Sequence, residues 1–521
     1  MTYLKKFYFH FFILFFLILG VHLSLNTGIT HDEFHDFNVW QANKNSILNF
    51  FLNENFDTSY LEGTNRFYGS GFHYFSTILE FFFINLPQLN EYTEIGKKIL
   101  SKHVSVFVLF LFSGLLIKKI MKIITKNETQ ASLSAIFYLL YPYLLGHSFF
   151  NIKDIPFLSV WLICTYFMIR IVKNYFFSDL IFKKHIFVIS FFTAYLLSIR
   201  ISGILIFIQY LIFILLLVNN KHLNFYAFIQ KHIKEIITAF LIIVVFYIIL
   251  QPSYWTNPFL IFDAIIYMSQ HAQSVCTITL QECMEAQNLP ASYLPIWFFF
   301  KLPIIILFGL FLFFQLEKKI KKNTFSYLIL TSLSLTVISI IILLIIFNVN
   351  LYDEIRQVMF LVPLIFIISL SLIHFFSFKF FKFSIIPIIV FFIFQNISMF
   401  PYNYIWINNF SHFTKVQNIF ELDYWSVSTK NVSKFIKNDN NKNLCIITNR
   451  NDAIDNLISG NNCLIDFSKL HEKNKRPFYV SLMGRGTKKG VPNNCDLILE
   501  EQTKMNFSKE ILPIARVYKC N

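Results

Sequence analysis

Charge is scarce in this chain. Only 14% of its 521 residues are Asp, Glu, Lys or Arg, whereas 55% are hydrophobic. The mean hydropathy of +0.54 is one that soluble domains rarely reach. A water-soluble globular class is therefore excluded. Phosphate-cradling loops are missing too: no G-x-x-x-x-G-K-S/T occurs, and no G-x-G-x-x-G follows a strand. No internal repeat and no low-complexity linker is found. A basic face with interleaved aromatics is absent, which excludes a nucleic-acid partner. The first apolar stretch lacks a small-residue cleavage site and is too long for a signal-peptide core, so it reads as a retained anchor.

What is present is a series of about eleven apolar stretches that read as membrane spans. Their limits are near 7–25, 101–119, 130–147, 155–172, 186–200, 201–218, 234–251, 293–315, 325–348, 356–374 and 383–400. Only Ile199-Arg-Ile-Ser-Gly203 separates the fifth from the sixth. Alternate loops are basic: Lys5-Lys6, Lys118 to Lys126, Lys173 with Lys183-Lys184, Lys221 to Lys234, Lys318 to Lys322, and Lys379 with Lys382. All fall on one side, so the positive-inside rule predicts a cytoplasmic N-terminus and an outside C-terminus. The net charge of +15 is mostly this topology signal.

Residues 1–400 thus read as a transmembrane domain with outer loops 26–100 and 252–292, followed by an outer tail, 401–521. The stretch 70–87 is apolar but interrupted, as for a helix lying in the interface. The tail carries short β-rich runs, LCIIT (444–448), CLIDF (463–467), FYVSLM (478–483), DLILE (496–500) and ARVYKC (515–520), after a helix-like stretch at 426–438. The predicted fold class is an all-α polytopic membrane protein with a small α/β domain outside the membrane from about residue 426. Six of the seven cysteines fall on the predicted outside, where disulfides can form; Cys276 and Cys283 are the candidate pair by proximity, with free thiols as the alternative.

Polar clusters gather where spans meet the outer surface. Thr30-His31-Asp32-Glu33-Phe34-His35-Asp36 follows the first span at once. Acidic side chains are costly in hydrocarbon, so this cluster is either solvated or held for chemistry. Adjacent residues point in different directions, so one carboxylate would serve as a base and the other would orient or bind. A helix-capping acidic pair is the alternative. His147 to Pro156 places Asn151, Lys153 and Asp154 at a second rim, where Lys153 suits a phosphate and Asp154 a sugar hydroxyl or a cation; a polar turn opening a helix is the alternative. Tyr352-Asp-Glu-Ile-Arg356 forms a third, where Arg356 either binds a lipid phosphate or snorkels to the interface.

Further candidates are weaker. Arg200 lies between two short spans and needs a partner. Lys301, with Tyr293 upstream, sits in a helix broken by prolines, from which it could reach phosphate. Aromatic-rich runs at 400–406 and 421–425 suit either the interfacial belt or sugar stacking. His31 and His35, four apart, mimic the zincin H-E-x-x-H helix, but Asp follows the first His and no third ligand is evident. Asp32 and Asp154 could share a divalent cation or act without one; no other cofactor is indicated.

At these residues the sequence resembles the GT-C class of polytopic glycosyltransferases, which contains protein O-mannosyltransferases and lipid A aminoarabinose transferases. The resemblance covers about residues 1–430. It rests on Asp32-Glu33 in the first outer loop, Asn151-Ile-Lys-Asp154, Arg356 at the rim and the outer C-terminal domain. The runs GHSFFNIKDIPF (146–157), LPASYLPIWF (289–298) and FELDYW (420–425) are similar to those of a bacterial branch of this class. The resemblance implies an inner-membrane enzyme with its site on the periplasmic face. The donor would be a polyprenyl-phosphate-linked sugar, its phosphate near Arg356, Lys153 or Arg200, with Asp32 as base and Glu33 in support. His31 and His35 flank the acidic pair, a departure that leaves the acceptor open among protein, lipid and surface glycan. The rival reading is a transporter or lipid flippase, which would place ionisable groups near the bilayer midplane.

Overall fold

The computed structural model describes residues 2–53, 61, 63–271, 274–410, 416–438, 445–458, 463–469, 478–491, 493–506 and 510–520. Eight helical segments are long and apolar enough to cross a membrane: Tyr8–Leu25, Glu94–Thr125, Asp154–Ser178, Ile201–Asn220, Ile233–Leu250, Phe325–Ile346, Arg356–Phe376 and Phe378–Met399. The remaining three predicted spans are modified. Stretch 186–200 is a 17-residue helix, Lys183–Ile199, that stops where Arg200 turns extended. Stretch 293–315 is a pair, Tyr293–Lys301 and Ile304–Lys319, bent by 118°. Stretch 130–147 divides into Glu128–Leu140 and Pro142–His147.

Both breaks coincide with proline, and both are repaired inside the protein. Pro142 and Pro303 lack an N–H, so each ends the preceding helix and starts another. Asn408 Nδ2 donates to the carbonyls of Phe299 (2.6 Å) and Leu302 (2.8 Å) beside the second break. The Tyr141 hydroxyl donates to the Lys301 carbonyl at the same break, and Asn396 Nδ2 donates to the Leu140 carbonyl at the first (2.7 Å). Broken backbone at membrane depth is tolerated when protein groups satisfy it in this way.

Among the described residues, the two loops predicted to lie outside carry three helices that do not span. α1 (His31–Asn53) follows the first span, α2 (Gly71–Phe83) lies further along the first outer loop, and α3 (Leu260–Ser269) lies in the second. The helix α2 is inverted relative to a soluble helix: Ile78, Phe81 and Phe82 are exposed while His73 and Ser76 are buried. That arrangement suits a helix lying against lipid. The second loop also forms a hairpin, β1 (Cys276–Thr279) with β2 (Glu282–Glu285), closed by a Cys276–Cys283 disulfide with Cα atoms 5.5 Å apart.

The tail builds a five-stranded sheet from β3 (Cys445–Thr448), β4 (Leu464–Asp466), β5 (Phe478–Met483), β6 (Cys495–Thr503) and β7 (Leu512–Cys520). Its order is β4-β3-β5-β7-β6, with β3 parallel to both neighbours and β7 antiparallel to both of its own. Each of the five predicted runs holds one strand; Leu444, the first residue of LCIIT, lies outside the described residues. The central β5 is buried on both faces, Tyr479 and Met483 packing one way and Phe478, Val480 and Leu482 the other. Burial on both faces explains its continuous apolar run. Cys445–Cys463 and Cys495–Cys520 staple the sheet, and Cys164 is the one free cysteine.

The tail is docked on the membrane region. Thr429 Oγ1 donates to the Ile29 carbonyl (2.7 Å) and Lys430 Nζ to that of Leu25 (2.8 Å). A Cβ on Gly28 would lie 2.2 Å from the Val427 carbonyl oxygen, so only glycine permits this approach. The docking carries residues 423–426 over the rim of the helices.

Candidate active site

Three segments deliver the first turn of a helix to one cavity of about 450 Å³. They are α1 with His31, Asp32 and His35; Asp154–Ser178 with Asp154, Lys153 preceding it; and Arg356–Phe376 with Arg356. Arg200, at the extended break between two helices, lines the same space, as do Tyr352 and the tail's Trp425.

The helix α1 separates the two adjacent acids. The Thr30 N–H donates to Glu33 Oε2 (2.6 Å), the return half of a capping box, while Glu33 Oε1 meets His103 Nε2 at 2.5 Å. Glu33 is therefore buried and turned from the cavity. Its expected supporting role beside Asp32 is not what the structure places there: it fixes the start of α1 to the long helix Glu94–Thr125. Asp32 and Asp36, four apart on one helical face, point the other way.

Asp32 Oδ2 lies 3.2 Å from Arg356 Nη1, and 30% of its side chain is exposed. Burial pushes the Asp32 carboxyl up, but Arg356 and then Lys153 outweigh it and hold it down at about 2. Arg356 also meets Asp353 at 3.4 Å and stacks on the rings of Trp425 (4.6 Å) and Tyr352 (4.9 Å). A guanidinium so clamped has its fork fixed in direction.

Lys153 Nζ lies 2.6 Å from Asp36 Oδ1 and 4.7 Å from the Tyr68 ring centre. Asp36 also raises the proton affinity of its neighbour His35. Asp154 is ion-paired with Arg200 and accepts from Asn151 Nδ2 at 3.0 Å. Asn151 Oδ1 in turn accepts from the Asp154 N–H (2.8 Å), an Asx-type turn that sets the carboxylate's direction. Asn151 is an orienting residue beneath the surface, in contact with His147 (3.1 Å).

Besides Glu33 and Asn151, two more predicted site residues do not reach the cavity. Lys301 Nζ is wholly buried, 2.8 Å from the equally buried Glu354 Oε1. Desolvation pushes the Glu354 carboxyl up to about 8, with Lys301 opposing. The Tyr293 hydroxyl bonds the Glu354 backbone, accepting from its N–H (3.1 Å) and donating to its carbonyl (3.3 Å). Both side chains therefore brace the 353–356 turn from below rather than meeting a ligand. Asp32 and Asp154 are each paired with an arginine, and among the described residues no group of three or more His, Cys, Asp or Glu could hold a metal. His31 and His35 lie in the cavity without the further ligand that a zincin site needs.

Two solved structures are similar to the chain along nearly its whole length. One is ArnT from Cupriavidus metallidurans bound to undecaprenyl phosphate, with a TM-score of 0.47 and 10% identity, covering 99% of this chain and 98% of that one. The other is the same protein in the apo state, with a TM-score of 0.44 and 10% identity, covering 98% and 97%. No family model and no curated protein matches the chain.

Sequence reasoning passed over several residues in or beneath the cavity wall. Asp36 carried a signal, since it sits one turn beyond Asp32 on a helix. Tyr68 and His271, whose Oη and Nε2 are 3.0 Å apart, come from two different outer loops and carried none.

Proposed function

We propose that the chain is an integral-membrane glycosyltransferase that moves a sugar from a polyprenyl-phosphate donor to an acceptor on the side opposite the basic loops. The observation that carries this reading is one cavity at the membrane rim in which an ionised carboxylate, Asp32, faces three cations, Arg356, Lys153 and Arg200.

The donor phosphate docks against these cations, with Arg356 offering a planar two-point contact. When Arg356 turns to phosphate, Asp32 loses its strongest partner and its proton affinity rises. Asp32 then takes the acceptor hydroxyl proton as the acceptor oxygen attacks the anomeric carbon. The new glycosidic C–O bond forms as the bond from that carbon to the phosphate oxygen breaks. The bonding pair leaves on the phosphate, where the cations stabilise it. Attack opposite the leaving group inverts the anomeric centre. Trp425 and Tyr352 offer flat faces for the sugar ring, and His31 and His35 stand where an acceptor would enter.

The test is proteoliposomes supplied with radiolabelled polyprenyl-phosphate sugars. Release of lipid phosphate with transfer of label supports the reading. Label that crosses the bilayer still attached to its lipid supports transport instead.

A further inference from the structure

A larger recess lies elsewhere. It measures about 850 Å³ and is framed by the ends of Glu94–Thr125 and Asp154–Ser178, the start of Phe325–Ile346, and the segment 319–326. Asp154 opens its helix at the cavity, whereas Lys173 of the same helix lines this recess. The 19 helical steps from one to the other span about 28 Å, close to one hydrocarbon thickness. The two pockets therefore sit at opposite membrane surfaces, and this one lies on the side of the basic loops.

Its lining is one-sided in charge. Lys119, Lys122, Lys126, Arg170, Lys173, Lys319 and Lys321 contribute to it, and no Asp or Glu does. Lys122 is neutralised by Glu128 (2.7 Å). Among the described residues no carboxylate pairs with the other six. Lys119 lies over the Tyr166 ring (5.7 Å), a contact that cancels no charge. Six converging cations repel one another unless an anion enters. The walls between them are apolar, Tyr166, Phe176 and Phe177 among them, so the recess offers charge at its mouth and hydrocarbon-compatible sides. A free inorganic anion would use only the first feature.

We infer that this recess binds the phosphate headgroup of an anionic phospholipid from the leaflet on the basic-loop side, with an acyl chain along the aromatic wall. The site is separate from the catalytic reading and stands or falls without it.

Native mass spectrometry of the full-length protein tests this, with phosphatidylglycerol or phosphatidylcholine in detergent micelles as probes and inorganic phosphate as competitor. Phosphatidylglycerol should stay bound where phosphatidylcholine does not. The triple variant Arg170→Gln/Lys173→Gln/Lys321→Gln should lose at least about tenfold in phosphatidylglycerol affinity, since each basic group contributes separately. The charge-keeping Lys173→Arg should retain it, separating loss of charge from failure to fold. Lys183→Gln/Lys184→Gln, on the same side but outside the recess, should also retain it. Equal retention by the triple variant, equal loss by the Lys183/Lys184 control, loss in Lys173→Arg, or full displacement by inorganic phosphate would each overturn the assignment.

Discussion

Arg356 and Asp32, 324 residues apart in the chain, meet at 3.2 Å where two helices begin at the membrane rim. Neither belongs to the other's local structure, so the contact exists only when the first outer loop and the tenth predicted span are both in place. Arg356 is also held by Asp353, and Asp353 is ion-paired with Arg485 of the tail, which binds Glu421 in turn. The guanidinium is thus the junction of the acidic site, the rim and the tail domain.

A lysine at this position would not suffice. Arg356→Lys keeps the charge but loses the fork and the stacking on Trp425 and Tyr352. Sugar transfer should fall by about 10²–10³-fold, the range seen when one preorganised donor to developing charge is lost. Initial rates in proteoliposomes at saturating donor check this.

The pH profile should report the same contact. With the Asp32 carboxyl held at about 2, kcat/KM of the wild type should show no acidic limb from this group down to about pH 4. In Arg356→Gln burial is opposed only by Lys153 and His31, so the carboxyl rises and an acidic limb should move upward into view. An unchanged profile would disconnect the two residues.

Glu33 should behave as a structural residue. Glu33→Gln weakens its contacts with Thr30 and His103, and should lower stability by about 1–3 kcal/mol. Transfer per folded molecule should change far less than the ~10²-fold or greater loss expected of a general base. Thermal unfolding and specific activity of one preparation separate the two effects.

The buried Lys301–Glu354 pair predicts a stability that depends on pH. Burial raises the folded-state proton affinity of Glu354 from the ordinary 4.5 to about 8. Between those values the folded state binds more proton than the unfolded one, so this group's contribution is full below about 4.5 and is lost as pH rises through about 8. Glu354→Gln should flatten that part of the profile. Lys301→Met removes the cation that opposes this shift, so the upper limb of the profile should move to higher pH.

Much of the architecture was legible because hydropathy in a membrane is a strong constraint. The eight long spans and the five tail strands follow from apolar length and alternation. The proline breaks at 142 and 303 changed two predicted spans less in position than in form, since broken backbone there depends on partners such as Asn408 that no local pattern reveals. At the site, charged residues at helix starts stood out against an uncharged background, which is why Asp32, Lys153, Asp154 and Arg356 could be named. Which of them pair with one another could not. Asp353 and Glu354 were read only as neighbours of Arg356, although one faces the cavity's arginine and the other a buried lysine. Glu33 and Asp32 are adjacent in sequence and opposite in role because a helix begins between Thr30 and His31. Lys301 was drawn toward the site by its charge and away from it in the fold by Glu354.

The central claim is that Asp32 removes the acceptor proton. Radiolabelled sugar transfer in proteoliposomes, comparing wild type with Asp32→Asn, tests it most directly. The account predicts that wild type releases polyprenyl phosphate and that Asp32→Asn slows transfer by about 10²–10⁴-fold while donor still binds. Asp32→Asn transferring at the wild-type rate would contradict it.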